Sequence, residues 1–346
     1  MRVAKRFVLR AASAIGADAA SRSLRRGELL VVNYHGLRTD ANPRRGWLLL
    51  PRARFVEQLS YLARHYDVRP VDDAVAAMRG GTLTRPTACI TFDDGYRNNL
   101  TIGLPVLREL SLPATIYLAT GLIGTDARLW TTRIELAFAA TRADRVNLDD
   151  LGLEPASLGD RDRCAAERQR AGSRVNEKLK TLPASQRAVA VDRVLERLGV
   201  NSSDDGGDFA FLDWEEVATL GRSGLVTFGG HTVHHEIVSR LDDVALAREV
   251  SDSVHRARAT GYASETFAYP NGGPGDFDDR AEKTLGPLGV STAFTTIDGL
   301  NRASTPPFAM RRIVVGDDWS LDAFRFHASG LASGLRRALL RPAPAE

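Results

Sequence analysis

TACITFDDGY, residues 87–96, joins an apolar run of strand length to two adjacent carboxylates, Asp93 and Asp94, and closes on a glycine and a tyrosine. Acids at the C-terminal end of a buried strand are costly unless each meets a partner. Asp-Gly is also a common turn, and an aspartate here suits the cap of a helix starting near Arg97. The stretch by itself admits both a chemical and a structural reading.

A second stretch, GGHTVHH at 229–235, follows another apolar run and holds three of the chain's seven histidines within five residues. His231 and His235 stand four residues apart, which predicts two imidazoles on one side of a helical turn, a donor set that transition metals favour. His234 is then expected to point elsewhere. His235-Glu236 also opens a zinc-protease pattern, but that pattern needs a histidine where Ser239 stands. Combined with the first stretch, one carboxylate and two imidazoles make a metal face with open positions: Asp94, His231 and His235 hold the ion. Asp93 is left to take a proton from water. Both stretches are placed at strand C-termini, where barrel active sites collect. A third stretch, FAYPNGG at 267–273, breaks from a strand at Pro270 into a glycine-rich loop. Such a loop lets backbone amides approach an oxyanion, although alone it reads as a turn.

Outward from these motifs, strand-length runs recur at Glu28–Tyr34, Thr87–Phe92, Ala114–Leu118, Leu225–Phe228, Thr266–Tyr269 and Thr292–Thr296. Helical spacing lies between them, as in Ala53–His65, with Phe55, Leu59 and Leu62 on one face, and in Val244–Thr260. Strand followed by helix, repeated, predicts an α/β fold with a parallel sheet, closed as a barrel rather than open. Residues 141–212 interrupt the rhythm with an arginine-rich helical stretch and the turn-forming loop Asn201–Asp208, and are expected to be an insertion or small cap. A basic N-terminal helical segment over 1–27 and a basic C-terminal helix and tail over 321–346, stopped near Arg341-Pro, flank a main domain over 28–320.

The 346 residues include 46 basic and 43 acidic side chains, a net charge of +3, which gives no support to nucleic-acid binding. The excess is local: residues 1–26 carry seven basic groups against Asp18, a pattern compatible with peripheral contact with an anionic membrane surface. The apolar stretch Phe7–Ile15 is interrupted by Arg10, so no cleaved leader is expected, and there is no apolar run of about 18 residues to span a bilayer. Those features favour the cytoplasm or the cytoplasmic membrane face. Cys89 and Cys164 form no C-x-x-C pair, so neither a disulfide scaffold nor a structural zinc site is expected.

T-F-D-D-G at 91–95 and H-T-x-x-H at 231–235, in this order and followed by the Pro270 loop, resemble the polysaccharide deacetylase family, also known as carbohydrate esterase family 4 or the NodB-homology domain. The resemblance covers roughly residues 28–320 apart from the insertion. It implies a distorted (β/α) barrel of about seven strands, and metal-dependent removal of N-acetyl, sometimes O-acetyl, groups from a glycan or lipid-linked sugar. By position it implies Asp93 as base, Asp94, His231 and His235 as ligands, and zinc as the ion, with cobalt, nickel or manganese as alternatives. Asn271 would offer its backbone N–H to the oxyanion. The family's third motif carries an arginine in R-x-x-P-Y, where this chain has Phe267 and Asn271; Arg312, in AMRRI at 309–313, is expected to replace it from the next strand. The family's late histidine acid would have to be His327, which reads as structural. His35, in VVNYHG at 31–36, resembles instead the Y-H motif of the exopolysaccharide and poly-N-acetylglucosamine deacetylase branch and is expected to be the acid. Tyr96, Tyr269, Pro270 and Trp130 are the expected substrate-binding residues; Trp47 and Trp319 could also stack on sugar rings. Two other readings remain: a catalytically silent glycan-binding module, and a membrane-associated partner in polysaccharide assembly.

Overall fold

Seven parallel strands carry the motifs: β1 Leu29–Tyr34, β2 Thr87–Asp94, β3 Ala114–Leu118, β4 Val226–Gly230, β5 Ala263–Ala268, β6 Thr292–Phe294 and β7 Ile313–Val314. Their spatial order is β6-β5-β4-β3-β2-β1-β7, and the short Asp67–Val68 also pairs with β2. The sheet curls into a half-barrel, and a parallel bridge between Phe294 and Met310 tethers its β6 edge to the run that leads into β7. This computed structural model describes residues 16–42, 49–159, 164–200 and 207–339, with side chains as far as 335. Residues 1–15 of the expected basic N-terminal segment, Trp47, most of the Asn201–Asp208 loop and the Arg341 tail lie outside the described residues.

Alternation along the strands explains why they read as continuous apolar runs. Val31, Cys89, Tyr117, Ala268 and Phe294 fall in one buried cluster, while Leu30, Val32, Ile90, Ile116 and Phe228 fall in another together with Phe55, Leu59 and Leu62 of helix Arg52–His65. Both faces of the sheet are thus covered, as parallel strands with helical crossovers require. Because the strands run the same way, their C-terminal ends share one rim. Asp94 is paired with Leu118 and Leu118 with Gly230, so the acids of β2 and the histidines after β4 meet across β3.

Differences from the expected elements have local causes. A helix starts near Arg97 as expected, as a π-helical turn over Asn99–Gly103 that runs on into helix Leu104–Leu110, but its N-cap is Asn98 rather than an aspartate. Strand β5 begins three residues before Thr266, at Ala263, where exposed residues dilute the apolar signal. Strand β7 is too short to show any period. Cys89 and Cys164 are both free thiols.

Between β3 and β4 lie helices Trp130–Ala140, Ala165–Lys180 and Ala184–Leu198, with an antiparallel hairpin of Arg145–Leu148 and Leu153–Ser157. They enclose their own core, including Ile134, Phe138, Leu148, Val175, Leu179, Val191 and Val194. Arg168 is buried in it, and its guanidinium donates to the carbonyls of Phe138, Thr141, Ala143 and Gly159 at 2.7–3.3 Å. A buried cation is tolerable there because these carbonyls satisfy its terminal nitrogens, with Nε alone left without a partner among the described residues. Helices near the two ends of the described residues meet: Arg325 of helix Leu321–Ala328 pairs with Asp18 of helix Ala17–Leu24 at 3.0 Å. No described helix is long and apolar enough to cross a membrane.

Candidate metal centre and active site

Asp94, the last residue of β2, adopts a left-handed backbone (φ 74°) and is followed by Gly95 at φ 85°. This tight exit turns the Asp94 carboxylate towards the loop after β4. There Gly229 and Gly230 let the chain pass close to its neighbours: a Cβ on Gly229 would stand 2.6 Å from both the Thr266 carbonyl oxygen and the Tyr117 ring. The expected helical turn is not formed. Thr232 and His235 are left-handed at φ 56° and 58°, so a tight loop, not a helix face, brings the two imidazoles together. Non-glycine residues seldom hold such angles, and they concentrate at functional sites.

The Nε2 atoms of His231 and His235 lie 3.5 and 3.2 Å from Asp94 Oδ1, and one donor atom from each of the three residues falls within 4.8 Å of the others. Nδ1 of His231 donates to the Ala268 carbonyl at 2.7 Å, which leaves its Nε2 lone pair facing Asp94. Asp94 Oδ1 is buried with no hydrogen-bond donor among the described residues. Burial works against ionisation of Asp94, yet His235 and His231 hold its carboxyl well below the ordinary range. Two imidazoles and a carboxylate are a donor set that suits zinc, and the orphaned oxygen supports that fit. His234 points away and pairs with Glu249 at 2.6 Å.

Asp93 stands apart from this triad. Its Oδ1 and Oδ2 accept from the two terminal nitrogens of Arg312 at 2.7 and 2.8 Å, and Oδ2 accepts also from Asn33 Nδ2 at 2.8 Å. Burial is the largest influence and raises its pKa, but the Arg312 charge and hydrogen bonds together with His231 and His35 outweigh burial and keep it lowered. Arg312 is itself held by donation from Nε to the Thr295 carbonyl at 2.9 Å. His35, just after β1, places Nε2 3.9 Å from Asp93 Oδ2; burial lowers its pKa, with Asp94 and Asp93 acting in the opposite direction.

A cavity of about 640 Å³ opens over these groups, lined by His35, Asp93, Asp94, His231, His235 and Asn271 on the barrel side. The other side belongs to the helices between β3 and β4, through residues such as Glu135, Asn176 and Lys180. Burial pushes the Glu135 carboxyl up to about 7. The remaining expected substrate-binding residues do not line the cavity. Tyr96 and Tyr269 are buried and stack on Phe211 and Phe277, Pro270 is buried behind Asn271 in the chain, and Trp130 lies under the Arg187 guanidinium, 5.3 Å from its ring centroid. His327 packs on Trp319, with ring centroids 4.4 Å apart, and is also absent from the cavity wall.

Several participants escaped the motifs. Asn33 is a lone amide in the apolar run LLVVNY, a signal that a buried polar atom needs a partner. Arg187, on helix Ala184–Leu198, forms a short ion pair with Glu236, the residue after His235. Nothing in the spacing of an arginine-rich helix singles it out.

Residues 80–154 match the family model described as polysaccharide deacetylase. No curated protein matches the chain significantly by sequence. Solved structures share the fold. A deacetylase from Streptococcus pyogenes, PplD in complex with acetate, superposes with a TM-score of 0.57 at 14% identity, covering 87% of this chain and 98% of that one. A polysaccharide deacetylase from Bacillus cereus gives 0.55 at 14% identity, over 87% and 69%. IcaB from Ammonifex degensii gives 0.53 at 18% identity, over 87% and 96%. The resemblance to the polysaccharide deacetylase family therefore holds in the sequence around Asp93 and Asp94 and in the barrel fold.

Proposed function

We propose that this chain, with the motifs and fold of the polysaccharide deacetylases, is a metal-dependent hydrolase that removes N-acetyl groups from a glycan or a lipid-linked glycan precursor. The observation that carries this reading is the division of labour at the rim: Asp94, His231 and His235 converge within 4.8 Å, while Asp93 is held separately by Arg312. A zinc ion held by those three residues, or cobalt, nickel or manganese in its place, would polarise the acetamide carbonyl and acidify water.

The protein's own groups supply the rest. Asp93, kept ionised by Arg312 and oriented by Asn33, accepts the proton of the attacking water. Asn271, on the cavity wall, donates its backbone N–H to the oxyanion of the tetrahedral intermediate. His35 delivers a proton to the departing amine, leaving acetate and an amino sugar. Loss of a general base typically costs about 10²–10⁴ in rate.

Metal content and acetate release from N-acetylated oligosaccharides test the proposal together. Asp93→Asn should retain the metal and lose turnover, whereas Asp94→Asn should lose both. A fully active Asp93→Asn, or purified protein that takes up no divalent ion, overturns the reading.

A further inference from the structure

Helix Ala165–Lys180 of the insert has two faces. Ala171, Val175 and Leu179 pack into the insert core, while Gln169, Ser173, Asn176 and Lys180 line the cavity over the metal triad. Those four recur at intervals of four, three and four residues, which keeps them on one side of a helix and spreads them over about 16 Å along its axis. Asn176 is only 5% exposed; its Nδ2 donates to the Thr131 carbonyl at 3.2 Å, yet its Oδ1 is buried with no hydrogen-bond partner among the described residues. Across the cavity, Nδ2 of Asn271 is likewise buried without an acceptor among the described residues. Orphaned buried amides are costly, and a bound molecule that supplies both a donor and an acceptor would relieve them.

We propose that the Gln169–Ser173–Asn176–Lys180 face of the insert is a binding strip for the sugar units that flank the acetylated residue, and that its ligand is an uncharged, hydroxyl-rich oligosaccharide. The inference deepens the deacetylase reading and rests on it for the position of the acetyl group. The side chains favour neutral sugars over polyanions. Lys180 is already paired with Glu177 at 2.7 Å, and Glu135 and Asp276 on the same wall outnumber its other cation, Arg240. No Trp, Tyr or Phe among the described residues lines the cavity, so recognition falls to hydrogen bonds rather than ring stacking. The insert thereby decides which chain lengths are accepted, while the barrel rim performs hydrolysis.

The test compares 4-nitrophenyl acetate, N-acetylglucosamine and its linear β-1,4- and β-1,6-linked trimers. Wild-type kcat/KM should rise from monomer to at least one trimer. Asn176→Ala should lower kcat/KM for that trimer about ten-fold more than for the nitrophenyl ester, the loss expected for one buried hydrogen bond, with most of the change in KM. Should Asn176→Ala unfold the insert, Gln169→Ala/Ser173→Ala alters only exposed positions of the same face and should flatten the dependence on length. Calorimetric titration with the trimers reads the strip without turnover. Weaker trimer binding by the variants in a protein that hydrolyses none of the four substrates would retain the strip and refute the hydrolase. Equal trimer affinity in wild type and both variants, or equal loss on ester and trimer, overturns the strip.

Discussion

Arg312 meets both carboxylate oxygens of Asp93, at 2.7 and 2.8 Å, across 219 residues of chain. The pair is fully buried, a setting in which removing one partner strands the other charge. Arg312→Met should therefore destabilise the fold by about 3 kcal/mol and lower turnover by on the order of 10² or more. The loss has a pH signature. With Arg312 present, Asp93 ionises more readily folded than unfolded, so it stabilises above the unfolded-chain pKa and that contribution fades as pH falls through the folded value. Without Arg312 burial is opposed only by His231 and His35, and the variant should be weakest against wild type near neutrality and approach it in acid. Urea unfolding across pH checks this; a constant difference between the two proteins contradicts it.

The insert is fastened to the metal loop by Arg187, which pairs with Glu236 and covers the face of Trp130. Arg187→Met should leave Glu236 without its counter-charge and loosen the loop that carries His235. Metal affinity should fall about ten-fold, in the range seen when groups supporting metal ligands are lost. Arg187→Met/Glu236→Gln should recover part of the stability, because no half-buried carboxylate is then left alone. Competition with a fluorescent zinc chelator gives the affinity, and unchanged zinc binding in the single variant would rule out the coupling.

Glu135 sits in the cavity wall with its carboxyl raised to about 7. A carboxyl that is protonated when folded and ionised when unfolded makes the fold less stable as pH rises from its unfolded value to about 7. Glu135→Gln removes that dependence. The variant should match wild type near pH 4 and exceed it at pH 8 by roughly 3 kcal/mol. Thermal unfolding at the two pH values decides the matter, and an equal gain at both would assign the effect to packing.

Gly229 leaves no room for a side chain, since a Cβ would press on the Thr266 carbonyl and the Tyr117 ring at 2.6 Å. The backbone contact cannot rotate away. Gly229→Ala should cost about 1–3 kcal/mol, the usual range for overpacking, and should shift the strand that delivers His231. A melting temperature equal to wild type would show that β4 and β5 can separate without penalty.

Metal removal should be visible in the folded protein. Binding only to the native state stabilises by about 2.7 kcal/mol at a ligand concentration one hundred times the dissociation constant. Exhaustive chelation should lower the melting temperature, and zinc should restore it in wild type but not in Asp94→Asn. Restoration in that variant would locate the ion elsewhere.

What the sequence determined unaided was the periodic part and the local part. Strand β3 is found where Ala114–Leu118 was expected, and helix Ala53–His65 gains only Arg52, because burial on a sheet or helix face imposes a short repeat on neighbouring residues. The acids of residues 93–94 and the histidines of 231–235 were legible because each group lies in one short segment after an apolar run. Tertiary structure alone decided which distant groups face one another. The turn that carries His231 and His235 is a left-handed loop, not a helix, because glycines at 229 and 230 bring the chain against β5. The Asn33 contact to Asp93, the Arg187 clamp on Glu236 and the Asn176 face above the cavity leave no local pattern either. Asn33, Arg187 and Asn176 act through contacts with residues 49 or more positions away or across a cavity, and spacing along a chain carries no record of such meetings.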